Sequence, residues 1–173
     1  MRALLYLATI VAANIITAKF VPLTLGIFII PWGSFLIGVT FILRDLTQNQ
    51  IGRKKTYLVI LLALVLSGIS SYLLGDGLTI VTASLIAFLI SETTDTEIYT
   101  RLKLKMEYRV LYSGLVGGLL DSTVFVVIGL SPIGAGFLTW NQVFTAIVGQ
   151  VIIKSIMQFI GVLAIKTIGG KNK

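Results

Sequence analysis

The sequence contains no cysteine and no histidine. The first absence excludes disulfides and thiol redox chemistry. The second removes the commonest metal ligand and the usual proton carrier near neutral pH, so any proton coupling falls to carboxylates. Charge is scarce as well. Charged residues make up 12% of the chain, against about a quarter in an average soluble domain. No G-x-x-x-x-G-K-[ST] loop is present, so the chain alone is not expected to hydrolyse ATP. Low-complexity segments and a soluble domain are also missing.

What is present is apolar. Hydrophobic residues account for 56% of the 173 positions, more than a single small domain can bury, whereas a bilayer covers such surface from outside. The net charge of +7 points at first to nucleic acid. The basic residues argue against that partner, because they lie in short clusters between long apolar runs, as membrane topology requires.

A helix crossing a hydrocarbon core of about 30 Å needs about 20 apolar residues. Six segments fit: Ala3 to about Ala18, about Leu25 to Leu43, Thr56 to Leu74, Leu78 to about Tyr99, Val110 to Leu130, and Asn141 to about Lys166. The first follows Arg2 like a signal peptide, yet no convincing small-residue cleavage site follows it. Basic residues occupy alternate loops: Arg53, Lys54 and Lys55, then Arg101, Lys103, Lys105 and Arg109, then Lys171 and Lys173. Only Lys19 breaks the pattern. The positive-inside bias therefore predicts an all-α membrane protein with six transmembrane helices and both termini cytoplasmic. Trp32 and Trp140 then fall at the outer interface. The stretch from Val21 to Trp32 carries Pro22, Gly26 and Pro31. It reads either as a strand-like or re-entrant element over the outer mouth or as an early start of the second helix. A three-plus-three inverted repeat is conceivable for six spans, but no repeat is clear enough to assert.

Ionisable side chains at membrane depth usually face the bundle interior and mark a site. Glu92 lies roughly 13 Å in from Arg101 along the fourth helix, and Asp95 shares its face at i+3. Glu97 points elsewhere. Asp121 is in the middle of the fifth segment. Lys154 is in the middle of the sixth, flanked by Gln150 and Gln158 on one polar stripe. Asn14 and Thr17 line the outer half of the first helix. The plain structural reading pairs Lys154 with Glu92 or Asp121, but one lysine cannot absorb Glu92, Asp95 and Asp121 together. Arg44 and Asp45 read as a snorkelling pair at a helix end. Ala83, Ala87 and Ser91, and likewise Gly114 and Gly118, recur every four residues and permit close helix approach. Packing within the chain is the plain reading of these stripes, and a homodimer contact is the alternative.

Three stretches resemble the vitamin uptake transporter family, the queuosine-precursor transporters. They are Pro31-Trp32-Gly33-Ser34-Phe35 through Phe41-Ile42-Leu43-Arg44-Asp45-Leu46-Thr47 with Gly52-Arg53-Lys54 after it; the Ser-Glu-x-x-Asp pattern of Ser91 to Asp95 in the run from Ala87; and Ser113 through Gly117-Gly118-Leu119-Leu120-Asp121-Ser122. Many members have an acidic residue where Gln48, Asn49 and Gln50 follow Thr47 here. The resemblance covers nearly the whole chain. It implies a single transporter domain over residues 1–173, inserted as a multi-pass protein in the bacterial cytoplasmic (inner) membrane. The implied substrate is purine-like: 7-cyano-7-deazaguanine or 7-aminomethyl-7-deazaguanine, precursors of the tRNA base queuosine. A carboxylate suits the donor edge of such a ring, with Glu92 the first choice and Asp95 or Asp121 next. Lys154, Gln150, Asn14 or Arg44 suit the acceptor side. Phe41, Phe88, Tyr99 or Phe125 suit ring stacking.

The lipid bilayer is the remaining expected partner, and neither a cofactor nor a metal is expected. Two other readings stand beside the carrier. One is the substrate-binding subunit of an energy-coupling-factor importer, for which Ala8 and Ala12 give a weak docking match. The other is a membrane scaffold without a substrate. An enzyme is disfavoured, since no metal-ligand set exists and a lone carboxylate pair is a poor basis for one.

Overall fold

The computed structural model describes residues 1–170; the basic residues Lys171 and Lys173 lie outside the described residues. Long helices dominate. The order is α1 (Arg2–Lys19), strands β1 (Leu23–Leu25) and β2 (Phe28–Ile30), α2 (Gly33–Ile51), α3 (Arg53–Leu73), α4 (Leu78–Arg101), α5 (Met106–Phe125) continued by a π-helical turn (Val126–Leu130), and α6 (Trp140–Gly170). Backbone polar groups have no water to bond in a bilayer, so apolar runs of this length satisfy them as helix. The helices α1, α3, α4, α5 with its π turn, and α6 are long and apolar enough to cross a membrane. Helix α2 carries Arg44, Asp45, Thr47 and Gln48 on its buried face, which lowers its hydropathy. Its 19 residues still span about 28 Å.

Side-chain contacts fix the directions. Arg2 donates to the Leu46 carbonyl, so α1 and α2 run antiparallel. Arg53 meets Glu97, and Arg109 donates to the Tyr99 carbonyl, joining the start of α3 and of α5 to the end of α4. Gln158 donates to the Val110 carbonyl, so α6 returns beside the start of α5. Arg2, Arg53, Arg101 and Arg109 therefore share one end of the bundle, as the charge pattern predicts.

The expected second span, about Leu25 to Leu43, both starts and ends too early, since α2 runs from Gly33 to Ile51. Leu23 to Ile30 form an antiparallel hairpin with Leu25 paired to Phe28, and α2 begins only at Gly33. Gly26 has φ 60° while Ile27 does not have positive φ. Positive φ at the first turn position alone is the type II′ pattern, which matches strand twist and takes glycine there. Of the two readings of Val21 to Trp32, the strand-like one holds. At the opposite end, Gly52 at φ 79° reverses the chain between α2 and α3 in a single residue, a conformation that favours glycine.

The lateral faces are apolar: Leu58, Leu61, Leu62 and Val65 of α3 and Ile156, Phe159, Ile160 and Leu163 of α6 are exposed. The interior is where polar side chains collect, including Arg44, Glu92, Asp95, Gln150, Lys154 and Gln158. Small residues let the helices close on them. A side chain at Gly38 would strike Met157 and the Lys154 backbone of α6. One at Gly114 would strike Gln158, one at Gly117 would press on Asp95, and one at Gly129 would meet Ala83. These glycines serve packing within the chain.

Candidate functional site

The polar interior divides into two parts. Toward the basic end, Arg44 of α2 is fully buried and bridges three carboxylates. Its Nη2 lies 3.1 Å from Asp45 Oδ1, its Nε lies 3.4 Å from Glu92 Oε2, and Asp95 Oδ2 closes on the same Nη2. Nη1 donates to Thr96 Oγ1 at 2.8 Å and approaches Gln48 Oε1 at 3.4 Å. Ser113 of α5 donates to Asp45 Oδ2 at 3.1 Å. Tyr6 of α1 stands beside Glu92. Arg44 and Asp45 thus do not snorkel. Asp45 pairs across to α5 and Arg44 to α4, because the side chains at this register of α2 face the bundle axis instead of the rim. Removing either partner from such a pair leaves a buried charge uncompensated.

Toward the hairpin end lies a cavity of about 110 Å³. Its walls come from every helix: Ile10, Asn14 and Thr17 of α1, Ser34 and Ile37 of α2, Ser67 and Ser71 of α3, Ser84 and Phe88 of α4, Asp121 and Phe125 of α5, and Gln150 and Lys154 of α6. Pro31 and Gly33 border it where the hairpin joins α2. Lys154 Nζ lies 2.7 Å from Asp121 Oδ2 and donates to Ser122 Oγ at 2.8 Å. Asn14 Nδ2 donates to Ser67 Oγ at 3.1 Å and Ser70 Oγ at 2.7 Å, which commits its donors and leaves Oδ1. Gln150 Nε2 is buried on the cavity wall without a hydrogen-bond partner. An orphaned buried donor costs about 1–3 kcal/mol, so it marks a position where an acceptor on a ligand would be favourable.

The structure therefore sorts the nine residues singled out in the sequence. Asn14, Phe88, Asp121, Gln150 and Lys154 line the cavity. Glu92, Asp95 and Arg44 form the sealed network, and Phe41 is buried between the two parts, against Gly117 and Gly118. In this conformation Glu92 does not line the cavity. Of the two acids considered for Lys154, Asp121 is the partner. Glu97 pairs with Arg53 at 2.5 Å and Arg101 at 3.2 Å, outside both clusters. Tyr99 is stacked under Arg109 at 4.0 Å. Sequence reasoning placed Asp45 at the rim and overlooked Tyr6, the contact of Ser113 and the serines of the cavity wall. The signal for Ser67 and Ser71 is their i, i+4 spacing within a serine cluster, with Ser70, on the apolar part of α3.

The cavity offers the paired Asp121 and Lys154, a second acid at Asp76, amide and hydroxyl groups, and the rings of Phe88 and Phe125 on an otherwise apolar wall. Among the described residues no group of three or more His, Cys, Asp or Glu side chains is arranged to hold a metal ion, the three acids around Arg44 being occupied by its guanidinium.

A family model described as "Putative vitamin uptake transporter" matches residues 71–168, more than half of the chain. The matched part runs from the end of α3 to α6 and carries Glu92, Asp95, Asp121, Gln150 and Lys154. No curated protein and no solved structure shows significant similarity to the chain. The chain belongs to the vitamin uptake transporter family and is an all-α, multi-pass membrane protein of the transporter class.

Proposed function

We propose that this protein carries a 7-deazaguanine queuosine precursor inward across the cytoplasmic membrane, with the cavity at the hairpin end as its outward-facing binding site. The observation that carries the reading is Gln150 Nε2, a buried donor without a partner beside the Asp121–Lys154 pair. A deazaguanine presents an acceptor to Gln150 and a donor edge to Asp121, and its flat ring suits Phe88 and Phe125. The cavity of about 110 Å³ is below the roughly 300 Å³ at the lower end of small-molecule pockets. Binding therefore widens it, by displacement of the hairpin or of the α1–α2 contact at Gly33. The basic end is cytoplasmic by charge bias, six helices cross, and the Arg44 network is the closed inner half.

The test is rescue of tRNA queuosine in bacteria that neither make nor import the precursor. Expression of the chain with 7-cyano-7-deazaguanine in the medium restores queuosine. Its persistent absence from tRNA, with the protein present in the membrane, rejects the substrate class. Rescue that requires added ATPase partners assigns the chain to energy-coupling-factor importers instead.

A further inference from the structure

Three carboxylates meet one guanidinium in the sealed half of the bundle, and Asp45, Glu92, Asp95 and Arg44 are each exposed by 1% or less. The groups facing them come from four helices: Tyr6 of α1, Gln48 of α2, Thr96 and Tyr99 of α4, and Ser113 of α5. Other nearby charges are committed elsewhere. Asp121 and Lys154 hold each other, and Arg109 lies over the Tyr99 ring. Among the described residues, Arg44 is thus the only cation in ion-pair contact with these three acids. Hydrogen bonding is incomplete too. Asp95 Oδ1 and the Tyr6 hydroxyl are buried without a partner, while Asp45 Oδ1 and Glu92 Oε2 meet Arg44 only as ion-pair contacts.

We propose that this cluster is a proton-binding site of the transport cycle: at least one of Asp45, Glu92 and Asp95 holds a proton while the bundle is closed around Arg44, and releases it when that half opens. The excess of acids over cations demands a neutralising species, and the orphaned oxygens are where an O–H would donate or accept. A proton needs no volume. A metal cation does, and these residues neither border the cavity nor surround a cation position. The balance is simple. When the network opens toward the cavity side, a carboxylate oxygen takes a proton from hydronium and leaves water; when it opens toward the basic end, the same O–H bond breaks and the proton passes to water as hydronium. Nothing is oxidised or reduced. Substrate and proton then move inward together, which rests on the reading of the cavity as a substrate site.

The first arm of the test needs no substrate. Infrared spectra of the purified protein at pH 7 are compared for wild type, Asp45→Asn, Glu92→Gln and Asp95→Asn. The expected result is a carboxylic-acid C=O band that shifts in heavy water and is lost or reduced in at least one variant. No such band, or a band that every variant keeps, overturns the proposal. Loss of the band in wild type as pH is raised gives the same reading if the variants fail to fold. The second arm uses proteoliposomes with a trapped pH dye and 7-cyano-7-deazaguanine. One proton per substrate makes accumulation rise about tenfold for each unit of outside-acid gradient. Uptake without internal acidification, or uptake driven by sodium, overturns the proton assignment and leaves the transport reading standing. Absence of any binding or uptake, with the infrared band present, overturns the transport reading instead.

Discussion

Lys154 and Asp121 face each other at 2.7 Å across the seam between α6 and α5, on a wall of the cavity. The lysine is nearly fully buried while Asp121 retains 17% exposure. The two members are therefore not equivalent. Lysine depends on its partner for neutralisation, and the acid keeps some access to solvent or ligand.

Replacing Lys154 with Met removes the counter-charge of Asp121 and the bond to Ser122. The residual exposure of Asp121 limits the destabilisation to about 1–3 kcal/mol. The double variant Asp121→Asn with Lys154→Met regains most of that stability, because neither charge is then left alone, but does not regain transport. Thermal unfolding in detergent and uptake assays on the three proteins separate the effects.

Arg44→Gln leaves three buried acids facing each other. The expected destabilisation is about 3–5 kcal/mol, the range for removing one member of a buried ion pair. Combining it with Asp95→Asn recovers part of the loss. A fall in melting temperature that is the same for the single and double variants would contradict the network as drawn.

Gly38→Val places a methyl-bearing carbon against Met157 and the Lys154 backbone. Overpacking of this kind costs about 1–3 kcal/mol, and here it pushes α2 from α6 next to the cavity. Reduced folded yield and weakened ligand binding are expected together. The same substitution at Gly77, where the added carbon meets nothing nearby, serves as the control and leaves both nearly unchanged.

Gly26→Val forces a branched residue into positive φ at the hairpin turn. The strain is about 1–2 kcal/mol and is confined to the hairpin, so bundle stability changes little. If the hairpin covers the cavity, ligand entry rates change while equilibrium unfolding does not. Stopped-flow binding alongside thermal unfolding makes the comparison.

Most of the long apolar helices were legible because hydropathy acts locally, whereas the second was displaced, read as about Leu25 to Leu43 and found as Gly33–Ile51. Thr56 to Leu74 as read and Arg53–Leu73 as found differ by one residue at the far end and by three at the polar edge, where a basic run extends the helix. The hairpin was half legible, since Gly26 and the flanking prolines signal a break, but the apolar residues between them fit a helix equally well. Arg44 and Asp45 show the limit. They were read at a helix end because the expected span stopped at Leu43, but α2 continues to Ile51 and holds both residues inside the bundle. Their partners there, Glu92, Asp95 and Ser113, lie on other helices. Asp121 with Lys154 was accessible by counting charges, whereas the division between a cavity and a sealed network depends on how six helices pack.

The most direct measurement is uptake of labelled 7-cyano-7-deazaguanine into cells that cannot make queuosine, comparing wild type with Asp121→Asn, Lys154→Met and Glu92→Gln at matched membrane levels. Time-dependent accumulation by wild type, and its loss in the Asp121 and Lys154 variants, is the expected result. No accumulation by well-expressed wild type, or full accumulation by all three variants, contradicts a substrate site built on the Asp121–Lys154 pair.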